Sequence, residues 1–148
     1  MPPAHFVYAR RIEPELSGLP EELQNSAYVA ANGELAWPRE DAKAAARWLA
    51  SQGYGILGGE VWEILGNGRW QGMIRSLRGS IPFVWGWETK PSWEEGEPWS
   101  TYVKRGLDQA IDALERGLPE SEAAIDIVPR LRYNLTYSPQ NEFPHRKG

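Results

Sequence analysis

Apolar and polar positions alternate most regularly along residues 53–68, GYGILGGEVWEILGNG, where β-forming side chains sit between glycines. Ile56, Val61, Trp62 and Ile64 predict a strand, and Asn67-Gly68 is the dipeptide that a two-residue type I′ turn prefers. That turn sets a register. Leu65 would face Trp70, Val61 would face Ile74, Trp62 would face Met73, and Glu60 would fall opposite Arg75 as a cross-strand ion pair. Leu57, Val61, Leu65, Trp70 and Ile74 would then share one face.

Helical spacing appears twice. Residues 38–52 place Ala42, Ala45, Ala46 and Leu49 on one stripe of small side chains, with Pro38 at the first helical position and Gly53 as a left-handed cap. Trp48 lies just off the stripe, as edge packing. Residues 99–116 space Tyr102, Val103, Leu107, Ala110, Ile111 and Leu114 helically, with Ser100 as a candidate N-cap and Gly117 as the stop.

Shorter signals fill the rest. A strand over 5–11, a helical turn near 20–22 anchored by Leu16, Leu19 and Leu23, and a strand, Asn32-Gly33 turn and extended segment over 26–37 are expected. In 79–90, Ile81, Phe83, Trp85 and Trp87 alternate along a further strand, as core or as an aromatic platform. Residues 91–98 form a polar loop. Leu131, Tyr133, Leu135 and Tyr137 alternate with polar neighbours, which predicts a half-solvated closing strand. The expected fold is α+β: one domain over 1–148, with an antiparallel sheet of about four to six strands and the two main helices on one face.

Gly53-x-Gly55-x-x-Gly58 matches the dinucleotide fingerprint as a bare pattern, but its polarity is reversed. That fingerprint follows a strand and opens a helix, so that pyrophosphate meets helix N–H groups, whereas these glycines follow a helix and open a strand. Gly58-Gly59 fits a bulge or a close backbone approach better.

Composition narrows the chemistry. With no cysteine, the chain offers no disulfide, thiolate ligand or cysteine nucleophile, and its two histidines, His5 and His145, lie near the ends with no ligand spacing. No catalytic residue, cofactor or metal site is expected. The net charge of −4 disfavours nucleic acid, and no apolar run suggests a membrane span or signal peptide, so a cytoplasmic protein is expected. Eight tryptophans beside many carboxylates are the unusual feature. Glu60, Glu63, Glu88, Glu94, Glu95 and Glu97 near Trp62, Trp87 and Trp93 would suit glycoside chemistry, but most also read as an acidic, solvated rim.

Trp37-Pro38-Arg39-Glu40, opening an Ala-rich helix, and Ile56-Leu57-Gly58-Gly59-Glu60-Val61-Trp62 together resemble the immunity protein 40 family of bacterial polymorphic toxin systems. The family strand usually reads I-L-G-G-D-V-Y, so Glu60 stands for the Asp and Trp62 for the Tyr. The resemblance covers 37–62. It implies a non-enzymatic α+β protein that binds and neutralises a cognate toxin. Composition is compatible with a binder of a basic partner, with buried aromatics as hot spots and carboxylates steering association. The expected partner-binding residues are Glu88, Trp93, Glu94, Glu95 and Glu97, in the acidic loop ahead of the second long helix. A carbohydrate-binding or carbohydrate-processing protein, and a structural adaptor, stay open as alternatives.

Overall fold

The computed structural model describes residues 18–77 and 81–143. The expected strand at 5–11, Leu16, both histidines and the first two positions of the 79–90 segment lie outside them. In chain order come α1 (Glu21–Ser26), β1 (Tyr28–Val29), β2 (Leu35–Trp37), α2 (Arg39–Ser51), β3 (Gly55–Ile64), β4 (Trp70–Gln71), β5 (Gly86–Glu88), α3 (Trp99–Arg116), α4 (Leu118–Glu122) and β6 (Leu131–Ser138). A 3-10 helix, Ile125–Arg130, leads into β6, and another, Gln140–Glu142, follows it.

The fold is α+β, built on a curled antiparallel sheet in the order β1-β2-β6-β3-β4. β3 bonds to β6 along one side; on its other side β4 pairs with its end and β5 with its middle. The reversed glycine fingerprint is confirmed in polarity, since α2 precedes β3.

Both long helices cover one face. Ala42, Ala45, Ala46 and Leu49 of α2 are buried as their spacing predicts, and Tyr102, Gly106, Ala110 and Leu114 are the buried residues of α3. They meet Ile56, Val61, Leu131, Tyr133, Leu135 and Tyr137 of the two central strands. Gly106 allows the closest approach, because a Cβ there would stand 2.7 Å from the Ile56 carbonyl oxygen. Trp48 packs half-buried at the edge. At the helix starts, Pro38 and Pro98 occupy the cap positions, and no side chain caps either helix, so Ser100 does not serve as an N-cap.

The opposite face holds a smaller cluster. Trp62 stacks on Trp70 with ring centroids 4.0 Å apart, Tyr28 meets Trp62 edge-on, and Ala30 and Ala36 complete the packing. The Tyr28 hydroxyl donates to the Gly68 carbonyl at 2.6 Å, tying β1 to the β3–β4 turn and closing the curl.

Both Asn-Gly turns occur, in a different form from the expected one. In each, the peptide N–H of the glycine donates to the carbonyl three residues back, and the Asn side chain accepts the N–H two residues on: Gly33 to Ala30 with Glu34 to Asn32, and Gly68 to Leu65 with Arg69 to Asn67. Only the glycines take positive φ, 91° and 86°. The loop therefore has three residues, a turn followed by a left-handed glycine, because the Asn side-chain bond satisfies the backbone without forcing Asn to positive φ.

That extra residue moves the register by one. Ile64 pairs with Trp70 and Glu63 with Gln71, which puts Trp70 on the Trp62 face and separates it from Val61 and Ile74. The expected Glu60–Arg75 ion pair is absent. Glu60 lies opposite Gly86 and Asn134, while Arg75 bonds to Asp126 at 2.8 Å. The hairpin also ends early, because β4 stops at Gln71 and β5 takes over the edge.

Two further expectations change. β6 is central and largely buried, flanked by β2 and β3, and Asn134 donates to the Leu35 carbonyl across the sheet. Asn134 is buried by its bond to β2, while Arg132 and Thr136 stay half-exposed, so the solvated face expected of this strand is kept only in part. Ile81 is exposed, whereas Phe83, Trp85 and Trp87 pack on the core. Phe83 is held by a bridge to Ile74, and Ile81 precedes it.

Candidate functional site

The 91–98 loop is built from its own side chains. Trp93 donates its indole N–H to the Glu97 carbonyl at 2.9 Å and sets its ring edge-on to Trp99 and Phe143, while Trp99 packs on Tyr102 and donates to the Gly53 carbonyl. Glu97 receives both forks of Arg105, at 2.6 and 2.9 Å. Arg105 also donates to the Pro91 carbonyl and lies over the Tyr102 ring. Its guanidinium holds the Glu97 carboxyl below the usual range, and burial pushes the Tyr102 hydroxyl up to about 12. Trp93 and Glu97 thus serve the fold. Of the five expected partner-binding residues, Glu88, Glu94 and Glu95 are exposed.

Glu88 belongs to a second feature. A cleft of about 300 Å³ runs between β5 and the C-terminal half of α3, walled by Trp85, Trp87 and Ala113 and rimmed by Glu88, Asp112 and Arg116. Trp85 sets its ring edge-on to Tyr133 and tilts against Trp87, so these indoles support the core while bordering the cleft. Asp112 and Arg116 pair at 2.7 Å, one helical turn apart. On the far side of β5, a groove of about 200 Å³ is floored by Gly58 and Gly59 and bounded by Glu60 and Thr136. One carboxylate oxygen of Glu60 accepts the Trp62 indole N–H at 2.8 Å.

The glycine floor has a cause. The β3–β6 register shifts between Ile56 and Gly58, and a Cβ on Gly58 would collide with the Trp87 carbonyl, one on Gly59 with the Trp87 ring. The bulge leaves Leu57, next to Gly58, as the extra residue, and the close backbone approach expected at Gly58-Gly59 is present.

Sequence reasoning missed the α3 half of the cleft. Asp112 and Arg116 were legible as one polar helix stripe, but nothing in their spacing says which strand the stripe borders. Glu63, expected with the other glutamates on a solvated rim, is instead buried: it accepts from Arg130 at 3.0 Å and from Gln71 at 3.2 Å, holding the 3-10 helix against β3.

A third feature is apolar. Met73, Leu77, Ile81, Val84 and Ile125 are exposed, at 74% for Ile81, 70% for Val84 and 78% for Ile125. They ride on paired segments, since Ile74 bridges Phe83 and Ser76 bridges Ala123.

The class these features define is an α+β protein with a curled antiparallel sheet and a cleft beside its β5 edge. No protein-family model, curated protein or solved structure matches the chain. No helix among the described residues is long and apolar enough to cross a membrane.

Proposed function

We propose that this protein is a non-enzymatic immunity protein, which binds a cognate bacterial toxin in the cytoplasm and neutralises it by occupying its surface. The observation that carries this reading is the set of exposed apolar side chains Met73, Leu77, Ile81, Val84 and Ile125, on segments joined by the Ile74–Phe83 and Ser76–Ala123 bridges. Side chains of this size, grouped on bridged backbone with the Arg75–Asp126 pair among them, have the makeup of a protein-docking surface. Exposed Glu88, Glu94 and Glu95 and the net charge of −4 suit a basic partner, and the resemblance over residues 37–62 supplies the toxin context.

The test is binding of the toxin domain encoded beside this gene, measured by calorimetry. Complex formation with loss of toxicity is expected, and Val84→Asp should weaken it by about tenfold or more, the effect of setting a charge within an apolar contact. A carbohydrate-handling reading rests on Trp85, Trp87 and Glu88 at the cleft. Saturable glycan binding with no toxin complex would favour it.

A further inference from the structure

The hydrogen-bond phase of β5 follows from its two flanks. Val61 donates to the Trp85 carbonyl and Thr89 to the Leu57 carbonyl, so the odd-numbered residues of this strand direct their backbone groups toward β3. In an antiparallel ladder the intervening residues face the other way. The N–H and C=O of Gly86 and Glu88 therefore point outward along the sheet edge, and both residues are exposed and border the cleft.

The next outward position shows how such a pair is satisfied. Lys90 donates its N–H to the Gln109 side chain and accepts from the same amide group, receiving from α3 the two bonds a neighbouring strand would supply. At Gly86 and Glu88 no such partner is present among the described residues. An open strand edge beside a helix is a template for one more strand.

The side chains specify what would fit. Glu88 and Glu60 lie on one face as diagonal neighbours, with Gly86 opposite Glu60 and Gly58 opposite Glu88. A residue added opposite Gly86 meets no side chain, so a long one can cross that position toward Glu60. The alternate residues of the added segment would turn to the other face, toward Trp85, Trp87 and Ala113.

We propose that the outer edge of β5 receives an extended segment of the toxin as an added strand, with an arginine or lysine lying across Gly86 to Glu60 and Glu88, and an apolar residue against the Trp85–Trp87 wall. This rests on the toxin-binding reading and names the contact within it. Charge complementarity and the unfilled ladder select this occupant over a second copy of the chain, which would bring Glu60 and Glu88 against their own kind.

The experiment is amide hydrogen exchange, read residue by residue on the full chain, free and bound to the toxin domain encoded beside the gene. Gly86 and Glu88 should exchange quickly in the free protein and slow by about tenfold or more in the complex, as an amide does on gaining a strand partner. Glu88→Pro removes an outward N–H without removing a bond to β3, and should weaken binding by about tenfold. Glu60→Gln with Glu88→Gln, which keeps the backbone intact, should weaken it several-fold and reduce its salt dependence. Slow exchange at both amides in the free protein would mean the edge is already covered by this chain, and would overturn the proposal. Protection that rises with protein concentration alone would assign the edge to self-association and overturn it equally. A complex that leaves both amides at their free rates overturns the edge while the toxin reading stands. Failure to form any complex removes both.

Discussion

Single residues set the hardest constraints on this chain. Gly59 has its close neighbours in the Trp87 ring and the Asn134 carbonyl, so Gly59→Ala is expected to destabilise by roughly 1–3 kcal/mol or more, the range for overpacking a tight site. Gly66→Ala, where an added Cβ would meet no other residue within 4 Å beyond its chain neighbours, should be near neutral, and paired urea melts of the two variants check this. Sequence alone showed that Gly58-Gly59 needed an explanation; it could not name Trp87, which is distant along the chain. Glu97 makes a pH prediction. Arg105 holds its carboxyl below the ordinary 4.5, so the unfolded chain takes up the proton first as pH falls. The stabilisation is present above that ordinary value and disappears as pH drops through the folded one. Glu97→Gln should therefore lower the urea midpoint at neutral pH, and the two proteins should converge in acid. Equal midpoints at neutral pH would show that the Arg105 fork contributes nothing.

At the scale of elements, both helices were legible because each buries a stripe set by its own spacing, and the C-terminal glycines fix where they stop. Gly117 is left-handed at φ 62°, as its position after α3 predicted. Strand pairing was less legible, since it depends on turn geometry that the dipeptide leaves open. Asn67-Gly68 permits a two-residue and a three-residue loop, and the Asn67 side-chain bond to the Arg69 N–H selects the longer one. One residue then changes every partner on β4. Gly68→Ala should cost about 1–2 kcal/mol for placing an L-residue in the left-handed region. Asn67→Ala should cost less, on the order of 1 kcal/mol, by losing one partly exposed hydrogen bond. Thermal melts that rank the two in the opposite order would favour a turn in which Asn67 itself carries positive φ.

Over the whole molecule, chain order and sheet order diverge. The last strand, β6, is central, because β3 and β2 close on either side of it, and no local pattern can announce a partner drawn from so far away. The tryptophans illustrate the same limit. Composition posed a choice between core and binding surface, yet Trp37 and Trp62 are buried and the other six are half-buried, two of them, Trp85 and Trp87, lining a cleft and supporting the core at once. The acidic loop divides similarly: Trp93 and Glu97 are engaged within the fold, and its exposed charge is left to Glu94 and Glu95. This division separates stability from association. Trp93→Ala should destabilise the free protein by about 2 kcal/mol, below the usual cost of truncating a fully buried Trp, because its ring is only partly covered. Any loss of toxin affinity in that variant has to be corrected for the unfolded fraction. Reversing Glu94 and Glu95 to Lys should leave the melting temperature within the small range of ordinary surface substitutions. If these carboxylates steer a basic toxin, the double reversal should slow association several-fold at low salt, leave dissociation nearly unchanged, and flatten the salt dependence of the on-rate. Stopped-flow association at two ionic strengths makes the measurement. An unaltered on-rate at low salt would remove the loop from the encounter and leave steering to Glu60 and Glu88 beside the β5 edge.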